Sequence, residues 1–209
     1  MSQLLSPLSL AVFAALGLLS LAMLTVALRK LAQFRKMGVG GGHKAEAALD
    51  LWLAGRVNEA VTAARTQKTV LGRILAGVIS GLQARPGDTG FAEELGRQTA
   101  LVELARMGRY MRFLDICVQS APMLGLLGTV LGMIDAFATL SATQGMADPA
   151  SLAGGIWTAL TTTAAGLALA LVASFITTWF ESRIDQERIM AEALISAAIY
   201  GRVDPAHKG

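Results

Sequence analysis

Three long apolar blocks, almost free of charge, decide what this chain can fold into. The first runs from Pro7 to Leu28, the second from Ile116 to Leu140 and the third from Gly155 to Phe180. Each is long enough for a helix to cross a hydrocarbon core, which takes about 20 residues for about 30 Å. Unpaired backbone amides are too costly in lipid for the spans to be anything but helices. Composition agrees: 54% of the residues are hydrophobic and only 16% are charged, against about a quarter in soluble domains. The prediction is an all-α membrane protein with three transmembrane helices.

The charges that flank the blocks orient them. Arg29, Lys30, Arg35 and Lys36 follow the first span, Arg106, Arg109 and Arg112 precede the second, and Arg183 and Arg188 follow the third. Basic residues favour the cytoplasmic side, so all three groups face the cytoplasm. No basic residue precedes the first block, the reverse of a secretory signal, so we read it as a retained anchor. The expected order is an external N-terminus (1–6), span one (7–28), a cytoplasmic helical region (29–115), span two (116–140), a periplasmic loop (141–154), span three (155–180) and a cytoplasmic helix and tail (181–209).

The net charge of +3 does not signal nucleic acid, because the basic residues border apolar blocks instead of interleaving with aromatics. A single cysteine, Cys117, excludes an internal disulfide and a cysteine metal cluster. His43 and His207 stand far apart in polar segments. No nucleophile–base pair or paired carboxylates fall at mid-membrane, so the chain is not expected to be an enzyme.

In the cytoplasmic region, Met37 to Gly42 reads as a flexible break and Lys44 to Gln83 as helices, with Gly55 ending one and Asn58 capping the next. Arg85-Pro86-Gly87-Asp88 reads as a turn. A helix from Phe91 to Arg112 is expected to run unbroken into span two. Glu181 to Tyr200 is expected to prolong span three, with Ile184, Ala191, Leu194, Ile195 and Ala198 on one packing face.

Within span two, Gly125, Gly128 and Gly132 share a helix face, where small residues allow close helix approach. Pro122 is expected to kink the helix. Within span three, Ile156, Ala159, Thr163, Ala170, Ser174 and Thr177 fall near one line, and Thr158 and Thr162 lie on a second small-residue face with Ala165. Thr129 and Thr163 lie within about 5 Å of the same depth when counted from the outer ends of their spans. Trp157 and Trp179 are expected to be interfacial anchors. Span three has no ionisable side chain, and span two has only Asp135, toward its outer end; Asp115 stands at the other mouth. A proton path needs a group that binds and releases a proton in the membrane. If this chain moves protons, the central carrier comes from another chain.

Ala121-Pro122 followed by Gly125-Leu126-Leu127-Gly128-Thr129-Val130-Leu131-Gly132-Met133-Ile134 resembles the second span of the MotA/TolQ/ExbB proton-channel family. Gly155-Ile156, Ala159-Leu160, Thr162-Thr163-Ala164 and Gly166-Leu167 resemble its third span. Three spans favour the ExbB/TolQ-like branch over the usual four of MotA. The resemblance implies a pore subunit of the bacterial inner membrane and a homo-oligomer, expected to be a pentamer, around an ExbD/TolR-like single-span partner. That partner carries the proton-binding aspartate, and motion passes to a TonB- or TolA-like protein. No cofactor is implied beyond H⁺ as coupling ion, and Na⁺ is the alternative ion. The expected ion-path residues are Thr129, Thr163, Thr162, Thr158, Ser174 and Asp135; the expected packing residues are Gly125, Gly128, Gly132, Gly166 and Pro122. One position departs from the pattern: many ExbB-like sequences carry glutamate where Thr158 stands, and Asp135 is the candidate substitute. A membrane scaffold that assembles the partner without lining the path is the second reading of the same pattern.

Overall fold

The computed structural model describes residues 7–142 and 149–202. Seven helices follow one another: α1 (Pro7–Met37), α2 (Gly42–Leu53), α3 (Val57–Thr66), α4 (Val70–Ala84), α5 (Thr89–Gly108), α6 (Met111–Ala142) and α7 (Pro149–Tyr200). There is no strand among the described residues, and three of the helices are long and apolar enough to cross a membrane. The protein is therefore an all-α membrane protein. Its described residues divide into two compact units, 7–29 with 110–142 and 149–178, and 30–109 with 179–202.

The first unit contains the apolar parts of α1, α6 and α7. Its buried positions fall in runs spaced three or four residues apart: Ser9, Val12 and Leu16, then Met23 and Ala27, on α1, Leu114, Cys117 and Ala121 on α6, and Ala159, Thr162, Gly166, Ala170, Ala173 and Thr177 on α7. Such spacing is the stripe by which one long helix packs on others. The opposite faces carry exposed Leu18, Leu126, Leu171 and Phe175, a distribution suited to lipid or further protein and not to water. Cys117 is fully buried and serves in this packing.

The second unit is built on α4. Thr69 caps its start by accepting from the Gly72 amide at 3.1 Å, and its Val70, Leu71, Ile74, Leu75, Val78 and Ile79 are buried. The close packing of α5 depends on small residues. A methyl group on Gly81 would stand 2.7 Å from Ala92 Cα, and one on Gly77 would stand 2.8 Å from Thr99 Oγ1. The C-terminal part of α7 adds Ala191, Leu194, Ile195 and Ala198 to the core, while Ile184 is only half-buried. Trp52 Nε1 donates to the Ala198 carbonyl at 2.9 Å, tying α2 to the same helix.

Four expectations need correction. The helix before span two is not continuous: α5 ends at Gly108 and α6 begins at Met111, with Tyr110 in the left-handed region at φ 69°. A bulky residue rarely adopts that conformation. It is held here by a lysine: Lys30 Nζ donates to the Met107 carbonyl, and to that of Arg109 at 3.0 Å, satisfying the last acceptors of α5. Lys30 is fully buried two residues past the apolar run of α1, with its ammonium 5.0 Å and 5.6 Å from the ring centres of Phe34 and Phe180. Second, Asn58 lies inside α3, whose N-cap is Arg56 and which has no side-chain cap. Third, part of the segment read as a loop over 141–154 is helical. Residues 141–142 and 149–154 are helical, because a helix need not stop where its apolar run does, and Pro149 suits a first helical position; 143–148 lie outside the described residues. Fourth, Met37 to Gly42 is no loose break. Phe34 and Gly38 carbonyls accept from the Val39 and Gly41 amides, and the Gly40 amide donates to Glu187 Oε1 at 2.5 Å.

Glu187, on α7, is buried, and burial pushes its carboxyl up from the usual range, against the opposing pull of the Gly40 amide and Arg183. A carboxyl with a raised folded pKa binds more protons folded than unfolded just above its ordinary value. Stability from this group is full below about pH 4.5 and falls as pH rises through the folded pKa. Glu187→Gln keeps an acceptor for Gly40 without the charge. Its thermal unfolding in detergent is expected at an equal or higher temperature at neutral pH, with a flatter dependence above pH 4.5. A lower neutral-pH midpoint would contradict this account of Glu187.

Candidate ion-path site

The site begins with two glycines. A methyl group on Gly166 would lie 2.6 Å from the Ala121 carbonyl oxygen and 3.0 Å from Gly125 Cα. One on Gly125 would lie 3.0 Å from both the Thr162 carbonyl oxygen and Thr163 Cα. The backbones of α6 and α7 therefore touch here, the close approach that small residues permit between membrane helices. The contact continues outward. Gly132 faces Ala159, with 2.8 Å from the would-be methyl to Ala159 Cβ, and Gly155 faces Ala136 at 2.9 Å. At Gly128 three helices meet, since a methyl there would be 2.7 Å from Thr162 Cβ and 3.0 Å from Val12 Cγ1 of α1.

This contact sets the threonines. Thr163 Oγ1 donates to the Gly125 carbonyl at 2.9 Å and lies 3.5 Å from Thr129 Oγ1. Thr129 Oγ1 donates to the Leu126 carbonyl at 2.6 Å. With both protons committed to backbone carbonyls, the two hydroxyls present their remaining lone pairs as acceptors. Both residues are half-buried. An open, mostly apolar depression leads from Thr129 along α6 past Met133 and Phe137 to Ser141.

The other sequence candidates stand apart from this pair. Thr162 is fully buried, donating to the Ala159 carbonyl at 2.6 Å and lying 3.3 Å from that of Gly125, so it packs between helices within the chain and does not line an open path. Thr158 is half-buried and bonds the Gly154 carbonyl at 3.0 Å. Ser174 is exposed, more than two turns further along α7. Asp135 is half-buried six residues beyond Thr129, about 9 Å along the helix. Helix α6 continues through Pro122. Thr177, on the Thr163 line, is buried and its hydroxyl has no partner among the described residues, neither of which the sequence pattern signals. Among the described residues no three His, Cys, Asp or Glu side chains cluster to hold a metal.

Residues 66–193 match the model of the MotA/TolQ/ExbB proton channel family, so the chain belongs to that family. Its relatives carry ExbB names. It is 39% identical over 95 residues, 46% of this chain and 33% of the relative, to a biopolymer transport protein ExbB homolog of Methanothermobacter thermautotrophicus. It is 48% identical over 63 residues, 30% of this chain and 28% of the relative, to biopolymer transport protein exbB1 of Vibrio cholerae. An ExbB-like biopolymer transport protein of Synechocystis is 44% identical over 80 residues, 37% of this chain and 32% of that protein. The matched stretches thus span a third or less of these relatives' lengths.

The glycine contact makes a sharp forecast. Gly166→Leu would drive a side chain into the α6 backbone, at a cost of about 1–3 kcal/mol or more. Its melting temperature in detergent is expected to fall well below that of the native protein. Gly17→Leu, at an exposed α1 position with nothing within 4 Å, is expected to melt like the native protein. Equal melting of the two variants would refute the contact.

Proposed function

We propose that this chain is the pore subunit of a proton-driven motor in the bacterial inner membrane, with its N-terminus periplasmic and its C-terminus cytoplasmic. It works as a homo-oligomer, a pentamer by family resemblance, around an ExbD/TolR-like single-span partner. Proton flow is passed on as motion to a TonB- or TolA-like protein. The observation that carries this reading is the Thr129–Thr163 hydroxyl pair, 3.5 Å apart in a stretch where neither α6 nor α7 offers a titratable group at mid-span.

The pair suits a visiting carboxyl in either protonation state. A protonated carboxyl, neutral and able to enter the apolar depression beside Thr129, donates its O–H to a threonine lone pair. Once the proton leaves, Thr163 can turn its own O–H from the Gly125 carbonyl to the carboxylate, exchanging one hydrogen bond for a stronger charge-assisted one. The threonines thus stabilise the carrier without titrating, and the net difference between its two states stays small enough for turnover. Asp135, toward the end of α6, is the candidate group for loading the carrier, in the absence of a glutamate at Thr158. Thr162 serves the helix contact, and Ser174 and Thr177 extend the polar line along α7.

The test is proton flux into liposomes holding this protein with and without its ExbD/TolR-like partner. Flux is expected to need the partner. Thr163→Val is expected to lower it about tenfold or more, the loss of one hydrogen bond to a charged group, while Thr163→Ser keeps most of it and both variants still assemble. Unchanged flux in an assembled Thr163→Val complex would exclude Thr163 from the path and leave the scaffold role.

A further inference from the structure

A basic pocket opens where α1, α4 and α5 meet in the second unit. It has a volume of about 440 Å³ and is lined by Gln33, Lys36, Arg73, Glu103, Arg106 and Arg109. Four cations face one carboxylate, and that carboxylate is already engaged: Glu103 accepts from Arg73 Nη2 at 2.6 Å and from Arg106 Nη1 at 3.1 Å, and it is buried. Gln33 Nε2 fixes the wall by donating to the Arg106 carbonyl at 2.7 Å. Arg73 Nη1 donates to the Lys68 carbonyl at 3.1 Å, and its buried Nε has no acceptor among the described residues. The side chain of Arg106 is mostly exposed, and Lys36 is exposed. Lys36, Arg73 and Arg106 alone outnumber the one carboxylate, and Glu103 holds two of their guanidinium groups in place, an arrangement suited to a phosphate oxyanion.

Position along α1 narrows the source of that phosphate. Gln33 and Lys36 follow Leu28, the last residue of the apolar run, by five and eight residues, about 8 to 12 Å of helix. The headgroup layer on each side of a hydrocarbon core is about 5–8 Å thick, and long Lys and Arg side chains reach back toward it. We propose that this pocket binds the phosphate of an anionic phospholipid headgroup in the leaflet at the basic end of α1. The site goes beyond ion conduction and rests only on the reading of α1 as a membrane span. A lipid bound there would bridge α1 to α4 and α5 beside the break at Tyr110, as basic pockets near membrane helices do with acidic headgroups.

The test is lipid retention. The full chain is reconstituted in vesicles of equal phosphatidylglycerol and phosphatidylethanolamine and extracted in mild detergent, and the retained lipid is quantified by mass spectrometry. The native protein is expected to keep phosphatidylglycerol preferentially. Lys36→Gln/Arg106→Gln is expected to bind it on the order of twentyfold less tightly, from about 1 kcal/mol for each cation lost near the surface. Both side chains are exposed, so folding is expected to survive; Arg106→Lys keeps the charge and the lipid. Arg29→Gln/Arg35→Gln removes two exposed cations from the same helix outside the pocket and is expected to leave retention unchanged. Three results would each overturn the proposal: equal retention of the two lipids by the native protein, equal losses in the two double variants, or displacement of phosphatidylglycerol by inorganic phosphate as effective as by soluble phosphatidylglycerol. The last would identify free phosphate as the ligand.

Discussion

The backbone contact between Gly125 and Gly166 is the constraint on which the rest of the membrane unit depends. Hydrophobic burial does not drive helices together in lipid, since the lipid is as apolar as a leucine; packing and hydrogen bonds do. A side chain at either glycine would separate the helices. The Thr163 hydroxyl would then lose its acceptor on Gly125 and its neighbour Thr129 together. The interhelical hydrogen bond and the packing are thus one feature, and the chemistry of the site follows from an absence of volume one turn away.

That arrangement explains why a channel-family protein carries so little chemistry of its own at mid-membrane. An ionisable group fixed there is expensive to hold charged. Hydroxyls whose protons rest on backbone carbonyls cost little when idle and remain able to accept or donate. The buried charged residues among those described lie in the second unit, and each has a structural partner: Lys30 on the end of α5, Glu187 on the glycine turn, Glu103 between two arginines. The break at Tyr110 separates α5 from α6, whereas α7 is one helix of 52 residues.

Much of this was legible in the sequence. Hydropathy alone located three spans, the 3.6-residue repeat placed the glycines of span two on one face, and the helical rise put Thr129 and Thr163 within about 5 Å of one depth. What escaped depends on contacts remote in sequence. Gly108 is a weak signal for ending a helix, and the cap that completes the break comes from Lys30, 77 residues away from Met107. Thr162 and Thr163 are adjacent and of one type; only the position of α6 decides that the first is buried and the second half-open. Lys30 falls in the three-and-four spacing of Met23, Ala27 and Phe34, and that register was the available sign that this lysine points inward. The basic pocket draws on three helices and has no sequence motif.

The most direct test of the account is a disulfide trap of the hydroxyl pair. In a Cys117→Ala background, Thr129→Cys and Thr163→Cys are introduced together and oxidised in membranes, and free thiols are counted per chain by alkylation and mass spectrometry. The account predicts rapid loss of both thiols within one chain, while the pair Thr129→Cys and Thr162→Cys, the second buried on a different face, reacts far more slowly. Equal rates for the two pairs, or thiols in the first pair that persist, would show that α6 and α7 do not meet in this register.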